Sequence, residues 1–143
     1  MNIMIINGPS LNLLGVREPD IYGTMTYQEL CQIIEDYAKQ NKITIKIYQT
    51  NHEGMIIDYL MEAYQKQYDG VVLNAGAYTH YSYAILDAIK AINLPVIEVH
   101  LSDLNKREPF RQVSVIREAC QKTFMGKGLN SYLEALDYLK QGE

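Results

Sequence analysis

The sequence predicts an α/β protein: a doubly wound, five-stranded parallel sheet with helices on both faces. Three observations predict it. Short apolar runs alternate with amphipathic stretches along the chain. The first run, Ile3 to Ile6, is apolar without polar interruption, which suits a strand buried on both faces. Several end in turn signals, such as Asn7-Gly8-Pro9 and Asn74-Ala75-Gly76. Strands separated by helices imply right-handed crossovers and a parallel sheet.

The elements follow in order. Ile3 to Ile6 is the first strand. Thr26 to Gln40 has helical spacing, with Thr26 and Glu29 as a capping box and Leu30, Ile33, Ile34 and Tyr37 on one face. Ile43 to Tyr48 alternates as a strand. Asn51 is placed to cap a helix from Glu53 to Lys66, whose apolar stripe reads Met55, Tyr59, Ala63. Gly70 to Leu73 is a third strand, His80 to Ile92 a third helix, and Pro95 to Val99 a fourth strand. Cys120 to Phe124 fits a fifth strand and Asn130 to Lys140 a last helix. Five strands in this alternation point to the flavodoxin-like arrangement. Two connections, Gly8 to Met25 and Leu101 to Arg117, far exceed the usual length of about 2–6 residues. They carry Arg, Asn, Glu, Pro and Tyr rather than Ser/Gly filler, which marks them as functional loops.

At 143 residues the chain is read as one domain, 1–143, and its 48% hydrophobic and 21% charged residues are ordinary globular usage. A net charge of −4 speaks against a nucleic-acid or anionic-membrane partner, though not against an anionic small molecule held by local arginines. Two cysteines without paired spacing read as buried thiols in a reducing compartment. No apolar run reaches the ~18–20 residues of a membrane span, and the N-terminus enters a strand with no basic segment before it, so the expected location is cytoplasmic. The aromatic usage is skewed: 12 Tyr, 2 Phe and no Trp.

In an open parallel sheet, ligands bind beyond the carboxyl ends of the strands. Strand one delivers Asn7, Gly8, Pro9 and Asn12 there, with Arg17 and Tyr22 on the loop beyond. Strand three delivers Asn74, Tyr78 and His80. Strand four delivers Glu98, His100, Leu101 and Ser102, followed by Arg107 and Arg111. Glu98 and His100, two apart on a strand, point to the same face. A carboxylate so placed orients the imidazole and fixes its tautomer. The same spacing also suits a structural pair or part of a metal site, although no metalloprotease spacing accompanies it. Tyr22 is either a base or an aromatic plug for its loop. An ordinary tyrosine titrates near 10, so work as a base at neutral pH takes roughly 4 kcal/mol of help, which the Arg17 guanidinium could provide. Ser102 is placed either to hold an anion or to stabilise a turn. Arg111 suits bidentate grip on a carboxylate or diol, or simply a surface position. The tripeptide Arg-Glu-Pro occurs at Arg17-Glu18-Pro19 and again at Arg107-Glu108-Pro109. His52, between Asn51 and Glu53, reads as part of a structural turn. Dinucleotide and P-loop motifs are absent, and a phosphoryl-accepting receiver would need an acid where Asn74 stands. A flavin or nucleotide module and a metal-assisted hydrolase using Glu98, His100 and His80 remain as alternatives.

The ordered segments Asn7–Gly15 with Arg17-Glu18-Pro19 and Tyr22-Gly23, Asn51–Gly54, Asn74–His80, and Glu98–Ser102 with Arg107–Arg111 resemble the type II 3-dehydroquinate dehydratases. The resemblance implies dehydration of 3-dehydroquinate to 3-dehydroshikimate, a lyase step of the shikimate pathway to aromatic amino acids. It would run by anti elimination through an enolate, without metal or organic cofactor. It implies Tyr22 as the base with Arg17 lowering its pKa, His100 as the acid oriented by Glu98, and Asn12 ordering a water at the enolate. It implies Asn74, His80, Leu101, Ser102 and Arg111 as substrate ligands, and Asp87 reaching the site of a neighbouring subunit in a dodecamer made of four trimers. Ser10, Ala75 and Val113 stand where the family commonly has Asn, Pro and His, and the stretch from Val115 to Phe124 is less typical.

Overall fold

A computed structural model describes residues 1–16 and 18–142, the side chain of Tyr22 apart. Its strands are β1 Asn2–Asn7, β2 Thr44–Gln49, β3 Gly70–Asn74, β4 Val96–His100 and β5 Lys122–Met125. Its helices are α1 Pro19–Tyr22, α2 Tyr27–Gln40, α3 Glu53–Gln65, α4 Tyr83–Ile92 and α5 Asn130–Gln141. The strands form one sheet in the order β2-β1-β3-β4-β5, and every pairing is parallel. This is the expected doubly wound, flavodoxin-like sheet.

The sheet divides the core in two. Met4 and Ile6 of β1, with Val71 and Leu73 of β3, face α3 and α4 through Ile56, Leu60, Ile85 and Ile89. Their neighbours Ile3, Ile5 and Val72, joined by Ile97 and Val99 of β4, face α2 and α5 through Leu30, Ile34, Tyr132 and Leu136. Alternate residues of one strand thus feed opposite layers, which is why the central strands read as unbroken apolar runs.

Several element boundaries and stripes differ from the sequence expectation. The α3 stripe is rotated by about one residue: Ile56, Leu60 and Ala63 are buried, while Met55 is 40% exposed. The branched aliphatic residues win the sheet contact, and Tyr59 moves to the layer's edge, where it stacks on Tyr48 at 3.9 Å. In α2, Ala38 rather than Ile33 completes the buried face. The third helix begins at Tyr83 rather than His80, because the Ser82 hydroxyl caps it by accepting the Ile85 N–H at 3.1 Å, and Gly76–His80 forms a separate 3-10 turn. Asn51 does not cap α3. His52 occupies that position, and Asn51 Oδ1 instead accepts the Ser10 N–H at 3.0 Å. Both cysteines are free thiols, half-buried rather than fully buried. No helix among the described residues is long and apolar enough to cross a membrane.

Candidate active site

The register of the sheet assembles the site before any side chain is considered. Asn7 of β1 lies beside Asn74 of β3, and Glu98 of β4 lies beside Thr123 of β5, all near the carboxyl edge. Gly8 lets the chain turn there: a Cβ on it would sit 2.6 Å from the Ala75 carbonyl oxygen. Above this edge is a cleft of about 120 Å³, lined by Pro9, Ser10, Leu11, Asn74, His80, His100, Leu101, Ser102, Arg107 and Arg111 among others. Ligand pockets for drug-sized molecules run to about 300–1,000 Å³, so this one suits a compact polar metabolite.

Glu98 is fully buried and carries four hydrogen bonds. Its Oε2 contacts His100 Nε2 at 2.6 Å and accepts from an Arg117 terminal nitrogen at 3.3 Å. Its Oε1 accepts from Arg117 Nε and from the Thr123 hydroxyl, both at 3.1 Å. Burial works to raise the Glu98 pKa, but His100 and Arg117 outweigh it and hold the carboxyl at about 2. The carboxylate therefore stays charged and engages Nε2 of His100, which leaves Nδ1 as the nitrogen available to a ligand. His80 is fixed differently. Its Nδ1 donates to the Val113 carbonyl at 2.8 Å, and burial first, with nearby cationic groups, lowers its pKa and favours the neutral ring. Because the backbone of Val113 makes this contact, the side chain at that position does not enter it.

Asn74 rests on a buried network that extends to the last helix. Its Nδ2 donates to the Tyr132 hydroxyl at 2.9 Å, and that hydroxyl donates to Asn7 Oδ1 at 2.6 Å. Its Oδ1 accepts the Gly76 N–H at 3.2 Å. Ser102 accepts from Arg107 at 3.2 Å, and Arg107 lies 3.8 Å from Glu18, which brings the two Arg-Glu-Pro tripeptides together. Arg111 lines the cleft, donates to Glu108 at 2.7 Å and lies over the Phe110 ring.

Eight expected residues thus take places in or beside one cleft: Asn74, His80, Glu98, His100, Leu101, Ser102 and Arg111, with Asn12 on the exposed 3-10 turn at its rim. Asp87 is exposed on α4, away from this cleft. Arg17 and the Tyr22 side chain lie outside the described residues. Arg117 and Tyr132 are not among the site residues expected from the sequence. Both act through contacts distant in sequence, and only the buried polar character of their partners hinted at a missing group. The Asn51 turn is structural, as expected: with Gln49 it braces the Gly8–Ser10 turn, and Tyr78 donates to the Asn51 carbonyl at 2.9 Å. No group of three or more His, Cys, Asp or Glu residues suited to a metal occurs among the described residues.

A parallel sheet with a buried Glu98–His100 pair beside a cleft at its carboxyl edge is the frame of an α/β enzyme. The profile of the Dehydroquinase class II family matches residues 1–140. The chain is 50% identical over 141 residues to a 3-dehydroquinate dehydratase of Fusobacterium nucleatum, covering 97% of this chain and 96% of that protein. It is 52% identical over 139 residues to one of Caldicellulosiruptor saccharolyticus, covering 97% and 96%. The crystal structure of type II dehydroquinase from Butyrivibrio crossotus superposes with a TM-score of 0.97 at 49% identity, covering 98% of this chain and 97% of that one. That from Propionibacterium acnes gives 0.94 at 36% identity, covering 98% and 96%. The chain belongs to the class II dehydroquinase family.

Proposed function

We propose that this enzyme dehydrates 3-dehydroquinate to 3-dehydroshikimate by anti elimination, within the shikimate route to aromatic amino acids in the cytoplasm. The observation that carries the mechanism is His100, buried at the cleft with one ring nitrogen on a charged carboxylate and the other available to a ligand. The substrate proton at C2 lies next to the C3 carbonyl, so its removal leaves an enolate that a modest base can reach if the oxygen is stabilised. Tyr22, aided by Arg17, takes that proton. Asn12 orders the water that donates to the enolate oxygen. The enolate then collapses, the C1–O bond breaks, and His100 gives the departing hydroxyl its proton, so one water leaves. Arg111, Ser102 and Leu101 hold the carboxylate and ring hydroxyls, with Asn74 and His80 beside them. Closure of the loop that carries Arg17 and Tyr22 excludes bulk water.

Asp87 serves a neighbouring copy. It is exposed on α4 beside the exposed rings of Tyr81 and Tyr83, 60% and 66% accessible, a surface suited to covering by another subunit. The working assembly is a dodecamer built as a tetramer of trimers, which light scattering would register as twelve times the chain mass; a monomer would refute it. The test of the reaction is turnover of 3-dehydroquinate by chelator-treated protein, followed by enone absorbance. Product should form at an undiminished rate, and Tyr22→Phe should lower it by orders of magnitude. No product from the chelated enzyme would overturn the reading, and near-normal turnover by Tyr22→Phe would remove the base.

A further inference from the structure

The charge around Glu98 is arranged in a way the elimination alone does not require. The carboxylate could orient His100 with a single hydrogen bond, yet all four of its acceptor sites are engaged, two of them by one guanidinium. Arg117 comes from the 3-10 turn Arg117–Ala119, outside the strand that carries the pair, and approaches side-on, with Nε to Oε1 and a terminal nitrogen to Oε2. Its neighbour Glu118 is engaged elsewhere, 3.4 Å from Lys90 of α4. The other groups facing the pair are Thr123 from β5 and Cys120, whose thiol is pushed up to about 12 by burial and then by the charge of Glu98. His80, Arg107 and Arg111 line the cleft on the ligand side of His100.

We propose that Arg117 is a positioning residue for the dehydration, locking the rotation of the Glu98 carboxylate and offsetting its charge so that His100 is oriented without its proton being trapped. This rests on the assignment of His100 as the acid. A buried carboxylate with no countercharge has two outcomes, both harmful. It can stabilise the imidazolium so strongly that the ring no longer gives up its proton to the departing hydroxyl, or it can take a proton itself and cease to orient the ring. A guanidinium shared across both oxygens prevents both through its charge, which a lysine shares, while its planar fork also fixes the carboxylate angle, which a lysine does not.

The test compares Arg117→Gln, Arg117→Lys and Thr123→Val in the full-length protein. Two readouts are followed: the His100 ring titration by histidine NMR in the resting enzyme, and the pH profile of kcat. The chain has three histidines, which makes the NMR signals assignable, with exposed His52 as an internal control. Arg117→Gln should move the His100 titration upward by about one pH unit and lower kcat about tenfold with little change in KM. Arg117→Lys should return the titration toward the native position. Thr123→Val, which removes a neutral donor, should leave it in place. An unchanged His100 titration in a folded Arg117→Gln protein, or a shift of equal size in Thr123→Val, overturns the proposal. If Arg117→Gln fails to fold, an Arg117→Lys titration unlike the native one overturns it as well. A His100 titration that moves while the activity profile stays fixed shows that Arg117 sets the charge of the ring, but refutes His100 as the acid and with it the role of Arg117 in the dehydration.

Discussion

The end of β4 and the loop from Pro9 to Met25 border the same cleft, but they are built on opposite terms. At β4 every residue from Val96 to His100 is buried, and Glu98 is held from three directions. On the loop, Asn12, Leu13, Val16 and the run Glu18–Ile21 are exposed. Two of the loop's residues, Ser10 and Glu18, adopt left-handed backbone at φ of 67° and 42°, a region that non-glycine residues enter at a cost of roughly 1–2 kcal/mol. A proton donor whose orientation must be ready in advance is well served by a strand end inside a packed core. A group that must arrive with the substrate is better carried on a segment with few buried anchors.

The comparison can be broken most directly at the β4 end. His100→Ala should reduce kcat by about 10²–10⁴-fold, as for loss of a general acid, while thermal melting shows the fold intact. If kcat barely changes, the rigid edge is scaffold and not chemistry. The next effect is thermodynamic. Glu98 titrates at about 2 in the folded protein against an ordinary 4.5, so the folded state binds fewer protons between those values. Its contribution is whole above pH 4.5 and is lost as the pH falls toward 2, about 3 kcal/mol in all. Urea unfolding across that range should fall more steeply for the native protein than for Glu98→Gln. Parallel slopes would mean that the carboxylate is not held as described.

A smaller effect is expected one layer down. Tyr132→Phe removes the hydroxyl that joins Asn7 to Asn74 and should cost about 1–3 kcal/mol of stability. KM should rise as the Asn74 amide loses its anchor, with kcat less affected; unchanged urea midpoint and KM would show that the network does not support the site. The smallest change belongs to the loop. Asn tolerates left-handed backbone better than Ser does, so Ser10→Asn should raise stability by less than about 1 kcal/mol and sharpen calorimetric melting. A loss of stability would show that the Ser10 turn is set by Asn51 and Gln49 instead of by local preference.

The sequence made the sheet legible because burial on both faces leaves no polar alternation in strands such as Ile3–Ile6. It made the Glu98–His100 pair legible because residues two apart on a strand share a face. The rotated α3 stripe was not legible: Met55-Tyr59-Ala63 and Ile56-Leu60-Ala63 are almost equally apolar, and only contact with the sheet decides between them. Arg117 was hidden because the segment carrying it has no periodicity from which direction can be inferred. Tyr132 was hidden among 12 tyrosines. Its full burial and two amide partners separate it from the rest, and neither property appears in a composition.

The Tyr132 hydroxyl also sets an order on how the enzyme can be made. It bonds to a residue 125 positions earlier and to another 58 positions earlier. During synthesis β1 and β3 emerge long before the group that ties their ends together. Until α5 has left the ribosome and docked, the floor of the cleft holds two amides with nothing between them. A nascent chain that stalls before residue 132 therefore carries most of the sheet but lacks the tie between Asn7 and Asn74, so the site is finished only when the last helix docks.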